Sequence, residues 1–268
     1  MSETDEARAA FEKSPEEQER IGRNVGNFSV ALFSVDDPSG SRRVNLIGTG
    51  TLVSVGKWDY ILTAAHVWNG LRKHEAVGVT LKEDLDHYFP IRTDTIVECG
   101  LQGTKGDEWG PDLMLLRIPG EHVGKIKAFR NFYRLDLQRK KVEGNHLAGR
   151  ILVGTPGVLA KGVGKIQQVV INSFYVQLDS KFYEREGFDY IDFEMDTTRE
   201  GVMKDFRGVS GGGLWDVQIF PAKRQGTFDS TEALMGVAFY QLGLKNSHQT
   251  VRCHGPKTIQ ALAECVLV

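Results

Sequence analysis

Three cysteines, Cys99, Cys253 and Cys265, are too few and too irregularly spaced for a disulfide framework in 268 residues. Their odd number and lack of metal-ligand spacing fit a reducing compartment, and a cytoplasmic location is expected. The segment MSETDEARAAFEKSPEEQER at the N-terminus has no apolar run, so neither a secretory leader nor a membrane span is expected there. The net charge of −2 provides no global field for nucleic acid or for an acidic membrane surface, so neither is an expected partner. The glycine-rich GVLAKGVGKI lacks the phosphate-loop spacing, no metal-ligand set emerges, and no cofactor is expected. Internal repeats and low-complexity segments are absent too.

What is present is an ordinary globular composition, 41% apolar and 25% charged, enough for one large domain or two small ones. Residues 1–25 stand apart, with seven acids and four bases among few apolar side chains. Ser14-Pro15-Glu16-Glu17 reads as a helix start: a serine cap, proline in the first helical position, and acids against the positive helix end. A short, loosely packed helical extension is expected there.

From Asn27 onward, short runs rich in Val, Ile, Leu, Phe and Tyr alternate with Gly, Asp, Asn and Pro. Six such runs precede residue 121: FSVALFSV, VNLIGTGTLVSV, DYILTAAHV, AVGVTL, PIRTDTIVECG and DLMLLRIP. Six more follow residue 147: GRILVGTPG, GKIQQVVINSFYVQL, FDYIDFEMD, GGLWDVQIF, ALMGVAFYQLG and TVRCHG. The charged stretch between them reads as a linker without a strand. PKTIQALAECV has helical spacing of Ile259, Leu262, Ala263 and Val266. The expectation is an all-β protein of two tandem six-stranded antiparallel barrels with a C-terminal helix. Its divisions would be 1–25 for the extension, 26–125 for the first barrel, and 126–268 for the linker, second barrel and terminal helix.

The densest glycine cluster, GVSGGGLWDV at 208–217, surrounds Ser210. A serine hydroxyl is a weak nucleophile unless a base takes its proton, and acyl transfer needs fixed donors for an oxyanion. The amides of Gly208 and Ser210 are the natural donors. Of seven histidines, His74, His87, His122, His146, His248 and His254 lie in polar surroundings and read as solvated. His66, ending the buried-looking run YILTAAH, is the candidate base. Asp112, at the entrance to the apolar run DLMLLRIP, is the candidate acid, with Asp107 as its rival.

The segments GTGTLVSVGKWDYILTAAHV, PDLMLLRI and GVSGGGLW resemble the three signature segments of trypsin/chymotrypsin-like serine proteases, in that family's order of His, Asp, Ser. GRILVGTPG is similar to the strand that opens the second barrel in bacterial members. The resemblance spans about residues 27–266. It implies a chymotrypsin-like fold and a serine endopeptidase acting on a protein or peptide substrate. In that reading Ser210 is the nucleophile, His66 the general base and Asp112 its orienting acid, with an oxyanion hole at Gly208 and Ser210.

The chain also departs from the family's digestive members. The position before the serine is Val209 rather than aspartate, so activation by an inserted N-terminus is not expected. The position that selects basic substrates in trypsin is Lys204 here, with Asp205 beside it. Either residue could set specificity, in opposite senses, or both could be solvated loop charges. Phe239, Tyr240 and Gln241 resemble the segment that pairs with the substrate backbone. Two other readings compete. The G-x-S-x-G match to α/β-hydrolases fails because no strand precedes Ser210 and no helix follows it. A protease-like scaffold, or a protein gated by a regulatory partner, is the alternative in a different class.

Overall fold

The computed structural model describes residues 3–36, 43–81, 88–102, 108–136, 147–157, 171–176, 180–198, 205–224 and 226–267. Two helices, α1 (Glu3–Glu12) and α2 (Pro15–Gly26), lead into the first set of strands. These are β1 (Ser29–Asp36), β2 (Arg43–Val55), β3 (Trp58–Thr63), β4 (Ala76–Thr80), β5 (Tyr88–Arg92), β6 (Val97–Gln102) and β7 (Asp112–Arg117), with helix α3 (Ala65–Leu71) after β3. Helix α4 (Gly120–Lys127) and the two-residue β8 (Tyr133–Arg134) come next. The second set is β9 (Leu147–Gly154), β10 (Asn172–Val176), β11 (Lys181–Arg185), β12 (Phe188–Asp196), β13 (Gly213–Pro221), β14 (Phe228–Gln241) and β15 (His248–His254). Helix α5 (Pro256–Glu264) follows.

The first sheet runs in the order β5-β4-β1-β2-β3-β7-β6, with β8 parallel to β2; the second runs β10-β9-β13-β14-β15-β12-β11. All other pairings are antiparallel. In both sheets the strands at the two ends of the path are consecutive in the chain. β5 passes to β6 through a single 3-10 turn at Thr93–Thr95, so the chain itself draws the ends of the first sheet together. The result is the tandem, all-β architecture of two antiparallel barrels expected from the sequence.

The number of strands differs from six and six: eight and seven are described. PIRTDTIVECG, read as one run, is bent by the 3-10 turn into β5 and β6. β11 was missed because it exposes charges on both faces and joins β12 through Glu186-Gly187, a turn with φ of 54° and 83° and no Asn-Gly signature. The supposed strandless linker contains α4, which buries Ile126, as well as β8.

The near-continuous apolar runs exist because the central strands are covered on both faces. Along β7, Met114 and Leu116 join a cluster with Leu52 and Ile61, while Leu113 and Leu115 join one with Val53 and Leu62. This second cluster continues into Ile151, Val153, Trp215, Val217 and Val237 of the second sheet. Their neighbours Leu152, Leu214 and Ala238 face a third cluster. The period of two thus sorts each strand between its own sheet's interior and a core shared by both.

The extension is not loosely packed. Ile21 and Val25 on α2 are fully buried in the shared core, and Phe11 on α1 meets Phe228 edge-on at 5.2 Å. Phe228 N–H donates to Glu17, and the Tyr175 hydroxyl donates to the Gln18 carbonyl at 2.6 Å. Ser14 makes no capping hydrogen bond, so proline in the first turn and Glu16 and Glu17 carry the helix start. At the other end, Asp189 of β12 caps α5, accepting from the amides of Lys257 and Thr258 at 3.0 and 2.7 Å. Among the described residues no helix is long and apolar enough to cross a membrane.

Candidate active site

His66 lies in the first turn of α3, three residues past the end of β3. Val67, Trp68 and Leu71 bury the inner face of this short helix, so the His66 ring is turned outward and about half of it is exposed. Strand β7 pairs directly with β3, Thr63 opposite Met114, which places Asp112 beside the start of α3. The Asp112 carboxylate accepts two hydrogen bonds from His66: Nδ1–H at 2.5 Å and the main-chain amide at 2.8 Å. Two bonds from one residue fix both the ring's rotation and its tautomer, leaving the Nε2 lone pair facing outward. The rival Asp107 lies outside the described residues.

Ser210 sits in the turn between Asp205 and β13. The glycines around it are there for close packing against the first barrel and the end of β9, not for flexibility. Gly211 has φ +89°, and a Cβ there would lie 1.9 Å from the Thr49 carbonyl oxygen. Gly208 has φ +92°, with 2.6 Å to the Thr155 carbonyl oxygen. Threonines of β2 stitch the turn down. Thr49 N–H donates to the Ser210 carbonyl at 2.9 Å, the Thr49 hydroxyl to the Gly208 carbonyl at 2.7 Å, and the Thr51 hydroxyl to the Gly211 carbonyl at 3.1 Å. Val209, fully buried against Gly154, occupies the space behind the serine.

Within this turn the amides of Val209, Gly211 and Gly212 donate to the carbonyls of Phe206, Ala238 and Val209. Among the described residues, those of Gly208 and Ser210 donate to nothing. The two amides expected to hold an oxyanion are therefore the ones the fold leaves unspent. A Cβ at Gly48 of β2 would lie 2.7 Å from Val67, the residue after His66, and 3.1 Å from the Ser210 carbonyl oxygen, so the serine turn and α3 meet over this glycine. No hydrogen bond joins Ser210 to His66 in this structure, a gap that substrate binding closes in many hydrolases.

The expected substrate-contacting residues divide. Lys204 lies outside the described residues. Asp205 is engaged by Arg207, whose side chain and amide hold its carboxyl below the usual carboxylate range. Phe239 is buried, stacked on His254 at 4.1 Å. Gln241 accepts the Phe206 N–H at 3.0 Å, so its side chain secures the turn ahead of Ser210. Tyr240 is half-buried beside Phe239. β14 outruns its partner β13 beyond Val237, so residues 239–241 have a described strand, β15, on one side only.

His254, read from the sequence as solvated, is fully buried. Its Nε2 accepts the Asp112 N–H at 2.9 Å, and burial pushes its pKa down to about 4, against a weaker upward pull from Asp112 and Asp189. The neutral ring carries its proton on Nδ1. Its polar neighbours in TVRCHG hid its burial, because only the strand pairing puts its side chain at the barrel interface. Thr49 was overlooked as well, although hydroxyls at alternate positions in GTGT hinted at a face with polar work to do. Burial also raises the Cys253 thiol, which leaves it no rival nucleophile. Among the described residues, no group of three or more His, Cys, Asp or Glu is placed to hold a metal ion.

No protein-family model and no curated protein sequence matches the chain. Among solved structures, the chain is similar to HBP, with 17% identity, a TM-score of 0.47, and coverage of 90% of this chain and 91% of that one. It is also similar to the scabies mite inactivated protease paralogue S-I1, with 13% identity, a TM-score of 0.48, and coverage of 90% and 94%. Likenesses this distant assign no residue and no activity.

Proposed function

We propose that this protein is a serine endopeptidase that cleaves protein or peptide substrates through an acyl-enzyme at Ser210. The observation that carries the reading is the double hydrogen bond from His66 to Asp112. With Nδ1–H held on the carboxylate, Nε2 can take the proton of the Ser210 hydroxyl as its oxygen attacks the scissile carbonyl. The oxyanion that forms would be met by the free amides of Gly208 and Ser210. The imidazolium, stabilised by Asp112, then returns the proton to the leaving amine, and water repeats the sequence on the ester. The open side of residues 239–241 supports an extended substrate lying alongside as an added strand.

Val209 supports a protein that is active without N-terminal insertion, since its buried apolar side chain can accept no ammonium. A second reading, a protease-like scaffold or an enzyme gated by a regulatory partner, draws on the missing Ser210–His66 hydrogen bond. A fluorophosphonate probe and a denatured casein-type substrate separate the readings. The peptidase reading expects labelling and cleavage by the wild type and neither by Ser210→Ala. A folded wild type that does neither would favour the scaffold or the gate. Peptides with Arg, Glu or a small residue before the cleaved bond then read specificity; dominant Arg preference points to Asp205, and Glu preference to Lys204.

A further inference from the structure

The chain segment that delivers Asp112 is held by the opposite barrel, at three main-chain groups within five residues. The Arg252 guanidinium donates to the Glu108 carbonyl at 3.0 Å, the Tyr190 hydroxyl to the Trp109 carbonyl at 2.5 Å, and Asp112 N–H donates to His254 Nε2 at 2.9 Å. All three side chains come from the paired strands β12 and β15, and Tyr190 lies opposite His254. Each is itself held. Arg252, only 3% exposed, makes a two-pronged ion pair with Asp192 at 2.8 and 2.9 Å and lies 3.7 Å from the Trp109 ring centroid. His254 is stacked on Phe239 at 4.1 Å and meets the Tyr190 ring, tilted, at 5.3 Å. Rigid partners of this kind transmit position, because neither the donors nor the acceptor can follow a wandering loop.

We infer that Arg252, Tyr190 and His254 form a positioning clamp that registers Asp112, and through it the His66 ring, against the barrel that carries Ser210. This rests on the reading of His66, Asp112 and Ser210 as the reacting set. The requirement behind it is geometric. His66 and Asp112 belong to the first barrel and Ser210 to the second, so a small slip between barrels would misplace the base relative to the hydroxyl. Thr49 ties the serine turn to the first barrel, and the clamp ties the aspartate to the second. The site is cross-fastened in both directions, and none of the three clamp residues needs to touch a substrate.

The test uses the full chain with Tyr190→Phe, His254→Phe and His254→Gln. Tyr190→Phe deletes one hydroxyl, His254→Phe keeps a ring in the stack but removes the acceptor, and His254→Gln restores an acceptor. Two signals are read: the NMR resonance of the His66 Nδ1 proton, assigned by its loss in His66→Ala, and the rate of fluorophosphonate labelling. The clamp predicts that Tyr190→Phe shifts or broadens the proton signal and slows labelling about threefold to tenfold. His254→Phe should do so about tenfold or more, and His254→Gln should recover most of the loss. An unchanged proton signal in folded Tyr190→Phe and His254→Phe overturns the clamp. If His254→Phe does not fold, Tyr190→Phe decides alone. The proton signal needs no activity, so a wild type that is never labelled defeats the peptidase reading and still leaves the clamp to be judged by NMR.

Discussion

Replacing Thr49 by valine keeps the shape of a fully buried side chain and removes one hydroxyl. That hydroxyl donates to the Gly208 carbonyl at 2.7 Å and accepts the Thr155 N–H at 2.9 Å. Valine offers neither partner, so a partly buried carbonyl and a buried amide are both left unpaired. Each such group costs about 1–3 kcal/mol, and the pair should lower stability by about 3 kcal/mol. Urea unfolding followed by tryptophan fluorescence measures this directly. The second consequence concerns rate. The freed Gly208 carbonyl loosens the turn whose amides are proposed to hold the oxyanion, and the loss of one such donor costs about 10²–10³ in turnover. The oxyanion is absent from the bound ground state and forms only as the carbonyl is attacked, so kcat should fall about a hundredfold with little change in KM. Thr49→Ser keeps the hydroxyl and should restore most of both effects. A valine variant as stable and as fast as the wild type would refute the reasoning, as would a serine variant equally impaired.

Other consequences can be checked as simply. Ile21→Ala, which empties a fully buried position on α2, should cost about 3 kcal/mol in urea unfolding; a loss under about 1 kcal/mol would mean the extension is not part of the core. His254 carries a pH signature. Its pKa is held at about 4 in the fold, against an ordinary 6.5, so the unfolded chain takes up this proton first as the pH falls. Stability from this group is complete above 6.5 and drains away as pH falls toward 4. At about 1.4 kcal/mol per pH unit the loss totals about 3 kcal/mol. Urea midpoints at pH 7.5 and 4.5 should therefore fall further for the wild type than for His254→Gln, and equal falls would contradict the assignment.

The amino-acid order by itself determined the architecture and singled out the three groups proposed to react. Every one of the twelve apolar runs read from the chain contains a strand, since a period of two between Gly, Asp and Pro breaks is a local property. Ser210 was legible from its glycines, His66 from the run it ends and Asp112 from the run it opens. Tertiary structure decided what those neighbours do. The glycines serve contact with Thr49 and Thr155, which lie far away in the chain. The extension looked loosely packed because its charges outnumber its apolar residues, yet Ile21 and Val25 complete the core between the barrels. His254 looked solvated and is buried beneath Asp112. Each of these rests on contacts between residues separated by fifty positions or more, or on packing against the other barrel. Local composition cannot record such contacts, because burial belongs to the assembled sheets and not to the segment.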